Sequence, residues 1–179
     1  MAAPGASAAP PIDALDPIGL SRGIAERLVA FSPPEAGHRV LDLGCGHGPV
    51  SAAVRGLGRP GPAVVAVDRS PAALGRLSTG EIETGVLTAS MDVHGLALCS
   101  GSFDRVYGSL VLDLSPHPEV ALAEALRVTR DGGVSAFACR HRECPYFGTV
   151  FETLADLVKP RWSPLSTVAG FEKAARAAA

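Results

Sequence analysis

The chain has 179 residues, 47% of them hydrophobic and 19% charged, a size and balance that suit one domain with a proper core. A formal net charge of −2, with 16 Lys and Arg residues scattered rather than clustered, leaves no electrostatic footprint for a nucleic acid backbone. No apolar run approaches the length of a bilayer span, and the N-terminus lacks the basic segment and apolar core of a secretion signal, so a cytoplasmic protein is expected.

Residues 1–11 are rich in Ala, Gly, Ser and Pro and have no periodicity; they are expected to form a disordered leader to a single domain over residues 12–179. From Ile12 to Phe31 the pattern is helical, with Leu20, Ile24, Leu28 and Phe31 on one face and Arg22, Glu26 and Arg27 elsewhere. A strand over about 39–43 follows and breaks into Gly44-Cys45-Gly46-His47-Gly48 at the mouth of a helix over 49–56. Three alternate glycines permit a tight bend and close backbone approach, and Pro49 suits the first helical turn. Asp42 is costly to bury alone at the end of this apolar strand. It is expected to accept hydrogen bonds from backbone amides, or from a ligand with donors or positive charge such as a sulfonium amino acid.

Val64-Val65-Ala66-Val67-Asp68 is a second apolar run, spanning a strand at 63–67, and it ends in an acid about 20 residues past the glycines, where a ribose-binding carboxylate stands in dinucleotide-type folds. Ser70 and Pro71 read as N-cap and first residue of a helix over 70–78. A strand at 85–89 leads to a third acid, Asp92. Residues 93–102 are irregular, and then come a strand at 105–111, a helix at 118–129, a strand at 133–138 and a last helix from about 147. Alternating strands and helices argue an α/β fold with a mostly parallel, doubly wound sheet, whose ligands sit beyond the carboxyl ends of the strands at the switch in strand order. Asp42, Asp68, Asp92 and Ser109 all lie at such ends.

These residues resemble the class I S-adenosylmethionine-dependent methyltransferases over residues 40–138, most closely the small-molecule branch that includes the quinone-biosynthesis enzymes. Gly101-Ser102-Phe103-Asp104-Arg105-Val106-Tyr107 is similar to the family's entry into the fourth strand, and Ser109-Leu110-Val111-Leu112 to its exit. Leu126-Arg127-Val128-Thr129-Arg130-Asp131-Gly132-Gly133 is similar to the helix end and glycine turn before the fifth strand, with Asp131 where the family usually has proline. The resemblance implies a Rossmann-like fold with S-adenosylmethionine as methyl donor. It places Asp42 and the loop of Gly44, Cys45 and Gly46 at the methionine end, Asp68 with Arg69 at the ribose, Asp92 with Val93 at the adenine, and Ser109 beside the donor. It also implies transfer to a small molecule, with O- or C-methylation favoured and N-methylation of a different kind left open, because the Asn/Asp-Pro-Pro-aromatic tetrapeptide of enzymes acting on amino groups of nucleobases or of glutamine is absent after the fourth strand.

Methyl transfer from a sulfonium needs mainly alignment, exclusion of water and, for some acceptors, a base. Asp113, His117, His141 and Glu143 stand where a base could act, but each reads as readily as a solvated loop residue or cap, so no catalytic residue is assigned. His47 reads as a loop residue near the cofactor. Cys139, His141 and Cys144 could ligate a metal but lack a second pair at metal-site spacing, and no metal is expected. An accessory or inactive subunit that keeps the cofactor pocket is the alternative function; a nicotinamide-dependent dehydrogenase is remote, because Pro49 interrupts its glycine pattern. Leu110, Leu112, Leu114, Tyr146, Phe147 and Phe151 suggest an apolar or aromatic acceptor. The family continues with antiparallel edge strands, but Phe171-Glu172-Lys173-Ala174-Ala175-Arg176-Ala177 reads as a helix and no strand-forming segment follows. The fifth strand is therefore expected either to pair with a second copy, giving a homodimer, or to be shielded by residues 146–164.

Overall fold

The computed structural model describes residues 19–58, 60–79 and 85–139. In chain order the elements are α1 (Leu20–Phe31), β1 (Arg39–Leu43), α2 (Pro49–Arg55), β2 (Ala63–Asp68), α3 (Pro71–Thr79), β3 (Val86–Ser90), β4 (Phe103–Ser109), α4 (Val111–Leu114), α5 (Pro118–Val128) and β5 (Thr129–Ala138). The strands form one sheet in the order β3-β2-β1-β4-β5, and every pairing is parallel. The order reverses between β1 and β4, the kind of switch point at which open α/β sheets form a crevice beyond the carboxyl ends of the strands.

Alternation of side chains along each strand divides the core between the two faces of the sheet. On one face Val40, Val64, Tyr107 and Ala136 pack with Ala25, Leu28 and Val29 of α1 and Val50 and Val54 of α2. Leu74 and Leu77 of α3 cover Ala66 on the same side. On the other face Leu41, Leu43, Val67 and Val106 pack with Phe103 and with Ala125 and Val128 of α5, and Leu96 closes the gap left where residues 91–102 form no helix. Because β1 is central, Val40, Leu41 and Leu43 are all fully enclosed; a Leu41→Ala truncation there is of the kind that costs about 2–5 kcal/mol.

Most element boundaries fall within a residue of those expected from the sequence, and the irregular 93–102 segment indeed holds no helix. Three differences have physical causes. Phe31 is 81% exposed rather than on the packing face, because α1 turns Ala25, Leu28 and Val29 to the sheet and ends at Phe31. The fourth strand stops at Ser109, not 111: Leu110 takes a left-handed conformation (φ 59°), and Val111–Leu114 make one helical turn instead. The fifth strand starts at Thr129, immediately after α5, and its register with β4 shifts between Phe103 and Arg105, with Gly132 (φ 74°) inside the irregular stretch. The leader expected at 1–11, the helix from about 147, the apolar residues Tyr146, Phe147 and Phe151, the base candidates His141 and Glu143, and the segments 146–164 and 171–177 lie outside the described residues.

Candidate functional site

The glycine loop joins β1 to α2 with Gly44, Gly46 and Gly48 all at positive φ (65°, 54° and 90°), a backbone that only glycine adopts freely. It is fastened to β2 from below by the Cys45 amide, which donates to the Val67 carbonyl at 2.9 Å. Gly44 is closed in: a Cβ there would stand 2.4 Å from Cγ2 of Val111. Around Gly46, by contrast, a Cβ would meet nothing within 4 Å, so the loop offers bare backbone to open space there. The Cys45 side chain turns away from that space into the packing of Ala66, Leu74 and Leu77, and burial pushes its thiol up, which makes it an inert packing group.

Asp42 lies under the loop. Its carboxylate is 1% exposed, and its Oδ2 accepts from both the amide (2.9 Å) and the hydroxyl (2.6 Å) of Ser51 in the first turns of α2. Burial nevertheless pushes its pKa up to about 6, with the Ser51 bonds opposing the shift. Of the two donor sources expected for this acid, the protein supplies the first, through Ser51, a residue the sequence reading did not single out.

Asp68 ends β2 beside the open side of Gly46. Its Oδ2 accepts from the Gly46 amide at 2.9 Å and its Oδ1 from the Ser70 amide at 2.8 Å, so each oxygen keeps acceptor capacity toward the crevice. Ser70 also caps α3, taking the Ala73 amide on its hydroxyl at 3.3 Å, with Pro71 in the first helical position as expected. Arg69 is exposed, and its charge helps to depress the Asp92 carboxyl.

Asp92 follows β3 with an exposed side chain. Its Oδ1 accepts from the His94 amide at 2.9 Å and meets the His94 Nδ1 at 2.6 Å; these bonds hold the carboxyl below its usual range. No described residue donates to Oδ2. Val93 turns inward against the core. His94 in turn reaches Ser115 with its Nε2 (2.7 Å to Oγ), a contact across 21 residues of sequence. Neither His94 nor Ser115 stood out in the sequence, although an acid two residues before the histidine is the signature of the turn that Asp92 makes.

Ser109 is the last residue of β4, in register with Ala138 of β5. The base candidates that can be placed differ from one another: Asp113 is buried in α4, whereas His117 is exposed before α5, with Nδ1 3.7 Å from Glu119. Pro118 occupies the first turn of α5, where its fixed φ suits the helix start. His47 is partly exposed in the loop. Among the described residues no three His, Cys, Asp or Glu side chains converge as metal ligands, and His141 and Cys144 lie outside them.

The geometry therefore offers an open stretch of glycine backbone, a carboxylate able to receive a pair of hydroxyls, and a second carboxylate with one oxygen ready for a donor. That set of donors and acceptors fits an adenosyl group with an amino-acid tail. Comparison with known proteins agrees: a family described as a methyltransferase domain matches residues 41–137. Malonyl-[acyl-carrier protein] O-methyltransferase of Pectobacterium atrosepticum is 36% identical over 119 residues, 66% of this chain and 45% of the relative. Aklanonic acid methyltransferase DauC of a Streptomyces species is 29% identical over 160 residues, 83% of this chain and 72% of the relative. The solved structure of an S-adenosylmethionine-dependent methyltransferase from Mesorhizobium loti superposes with a TM-score of 0.58 at 30% identity, over 68% of this chain and 56% of that one. The chain spans about half the length of several of the curated relatives it matches.

Proposed function

The chain belongs to the small-molecule branch of the class I S-adenosylmethionine-dependent methyltransferases, and we propose that it binds S-adenosylmethionine beyond the carboxyl ends of β1, β2 and β3 and transfers its methyl group to an oxygen of a small acceptor. The observation that carries this reading is the pairing of Asp68 with the Gly46 amide. It holds the Asp68 carboxylate, which this reading assigns to the ribose, beside Gly46, where a Cβ would meet nothing within 4 Å. In this reading Gly44, Cys45 and Gly46 lend backbone to the methionine end, Asp42 stiffens the loop from beneath through Ser51, Asp68 and Arg69 meet the ribose, Asp92 and Val93 meet the adenine, and Ser109 lies beside the donor.

When bound, the sulfonium supplies a methyl carbon already activated toward a nucleophile. The residues of this chain then have little bond chemistry to perform: the glycine loop and the two acids hold the donor still, while Leu110 and Val111, partly exposed after β4, offer apolar surface that excludes water from the approaching oxygen. If that oxygen belongs to a carboxylate, no proton has to leave. This agrees with the lack of a defined base among Asp113 and His117. The relatives, which include a malonyl-[acyl-carrier protein] O-methyltransferase and an aklanonic acid methyltransferase as well as a ubiquinone-biosynthesis O-methyltransferase, support O-methylation.

A cytoplasmic location forms part of this reading, supported by the free thiols of Cys45, Cys99 and Cys139, which suit a reducing compartment. No helix among the described residues is long and apolar enough to cross a membrane. The outer edge of β5, which pairs with β4 alone among the described strands, supports homodimer formation or shielding by residues 146–164; sedimentation at micromolar concentration separates the two. The test of the activity is release of S-adenosylhomocysteine when the protein is incubated with S-adenosylmethionine and a panel of carboxylic acids, phenols and acyl thioesters. Product that depends on one acceptor class supports the reading. Tight donor binding with no product from any class points to an accessory subunit instead.

A further inference from the structure

The loop after β3 and the turn after α4 are joined by an unbroken hydrogen-bond chain. Asp92 Oδ1 meets His94 Nδ1 at 2.6 Å, His94 Nε2 meets Ser115 Oγ at 2.7 Å, and Ser115 Oγ accepts the His117 amide at 3.2 Å. The His117 ring stands edge-on to that of His94, with centroids 6.0 Å apart. Ser115 is buried, and the His94 side chain is 22% exposed, whereas that of Asp92 is 60% exposed.

The chemistry of the chain assigns its protons. A carboxylate only accepts, so Nδ1 of His94 carries the hydrogen it gives to Asp92; in the neutral ring Nε2 then has only a lone pair to offer, and the Ser115 hydroxyl must donate to it. A free imidazole has no such constraint. Asp92 thus fixes the tautomer of the ring and Ser115 its plane, and the ring, with the His94 amide, fixes one oxygen of the exposed carboxylate, while no described residue donates to the other.

We propose that His94 is a positioning residue that aims the free oxygen of Asp92 at the exocyclic amino group of a bound adenine, and that Ser115 acts on donor affinity only through His94, coupling the acceptor-side turn to the nucleoside pocket. This rests on the S-adenosylmethionine reading above. A histidine that merely fills space between two loops would hold Asp92 no better than any side chain of similar bulk.

Calorimetry with S-adenosylhomocysteine on the full chain tests it. His94→Ala raises Kd about tenfold, as loss of a charge-assisted bond predicts. His94→Asn keeps an N–H for Asp92 but cannot reach Ser115, and stays within about threefold of the wild type. Ser115→Ala raises Kd about fivefold beside His94 and changes it by less than about 1.5-fold in the His94→Asn background, the non-additivity of residues acting in series. Nitrogen-15 spectra of the wild-type ring show the Nδ1-protonated tautomer. A Kd unchanged in His94→Ala, an equal effect of Ser115→Ala in both backgrounds, or an Nε2-protonated ring each overturns the proposal, and the ring spectrum decides should a variant fail to fold. No heat from the wild type would overturn the donor reading itself, a result distinct from binding that ignores His94.

Discussion

The amide of Gly46 donates to the carboxylate of Asp68 at 2.9 Å, across 22 residues of sequence, so that the glycine loop after β1 and the acid after β2 form one rigid unit. A carboxylate held this way is oriented before any ligand arrives, and little ordering cost remains for binding. The same bond makes Asp68 a brace of the loop as well as the proposed ribose contact.

Replacing Asp68 with Ala is expected to weaken S-adenosylhomocysteine binding by about 1–3 kcal/mol, through lost charge-assisted bonds to the ribose and a looser Gly46. His141→Ala is expected to leave affinity nearly unchanged. Titration of both variants checks this, and native affinity in the Asp68 variant would remove the end of β2 from the site.

Asp42 gives the fold a pH dependence of definite sign. Burial raises its pKa from 3.8 to about 6, so the folded protein holds this proton more tightly than the unfolded chain does. Ionising it therefore costs stability: the penalty is absent below the unfolded value, grows as pH rises through this window, and reaches on the order of 3 kcal/mol above it. Asp92, Asp104 and Glu124, whose carboxyls are depressed, tilt stability the other way as pH falls, so the comparison must be with a variant. The Tm of Asp42→Asn minus that of the wild type is expected to increase from pH 4 to pH 7. A difference that stays flat contradicts the account of a buried, strained charge.

Gly44→Ala sets a new Cβ against Val111 Cγ2 at a position where φ is already 65°, and is expected to cost at least about 2 kcal/mol. Adding Val111→Ala removes the worst contact, leaving the Cβ of residue 111 at 3.0 Å and the backbone strain. The double variant should therefore melt above the sum of the two single effects. Simple additivity in a thermal melt would show that the two residues do not touch.

Arg127 ties α5 to the irregular loop, donating to the carbonyls of Leu96 (2.9 Å) and Leu98 (2.8 Å) and to both oxygens of Glu124, while Glu124 takes the Leu96 amide at 2.7 Å. Arg127→Ala is expected to destabilise by about 1–3 kcal/mol, with faster hydrogen exchange at Leu96 before global unfolding. Exchange at Leu96 that remains as slow as in the core would show that the loop is held by its apolar contacts instead.

Much of the site was legible because its signals are local. Three alternate glycines, an acid at the end of each of two apolar runs, and Ser-Pro at a helix start each announce themselves within a few residues, and all appear where expected. What was not legible depends on contacts distant in sequence or on backbone states that side chains conceal. Leu110-Val111-Leu112 reads as more strand, since nothing about a leucine signals a left-handed φ, and the turn brings Val111 close to Gly44, a neighbour distant in sequence. The chain from Asp92 through His94 to Ser115 closes only in three dimensions. Phe31 fits a helical period yet lies at the end of its helix, past the reach of the sheet.

The central claim is that the crevice beyond β1, β2 and β3 binds S-adenosylmethionine. Calorimetric titration of the chain with S-adenosylmethionine and S-adenosylhomocysteine, paired with thermal melts at saturating ligand, tests it most directly. The account predicts heat of binding for both compounds and a raised Tm, because a ligand that binds only the folded state must stabilise it. No heat and no shift in Tm with either compound would contradict it.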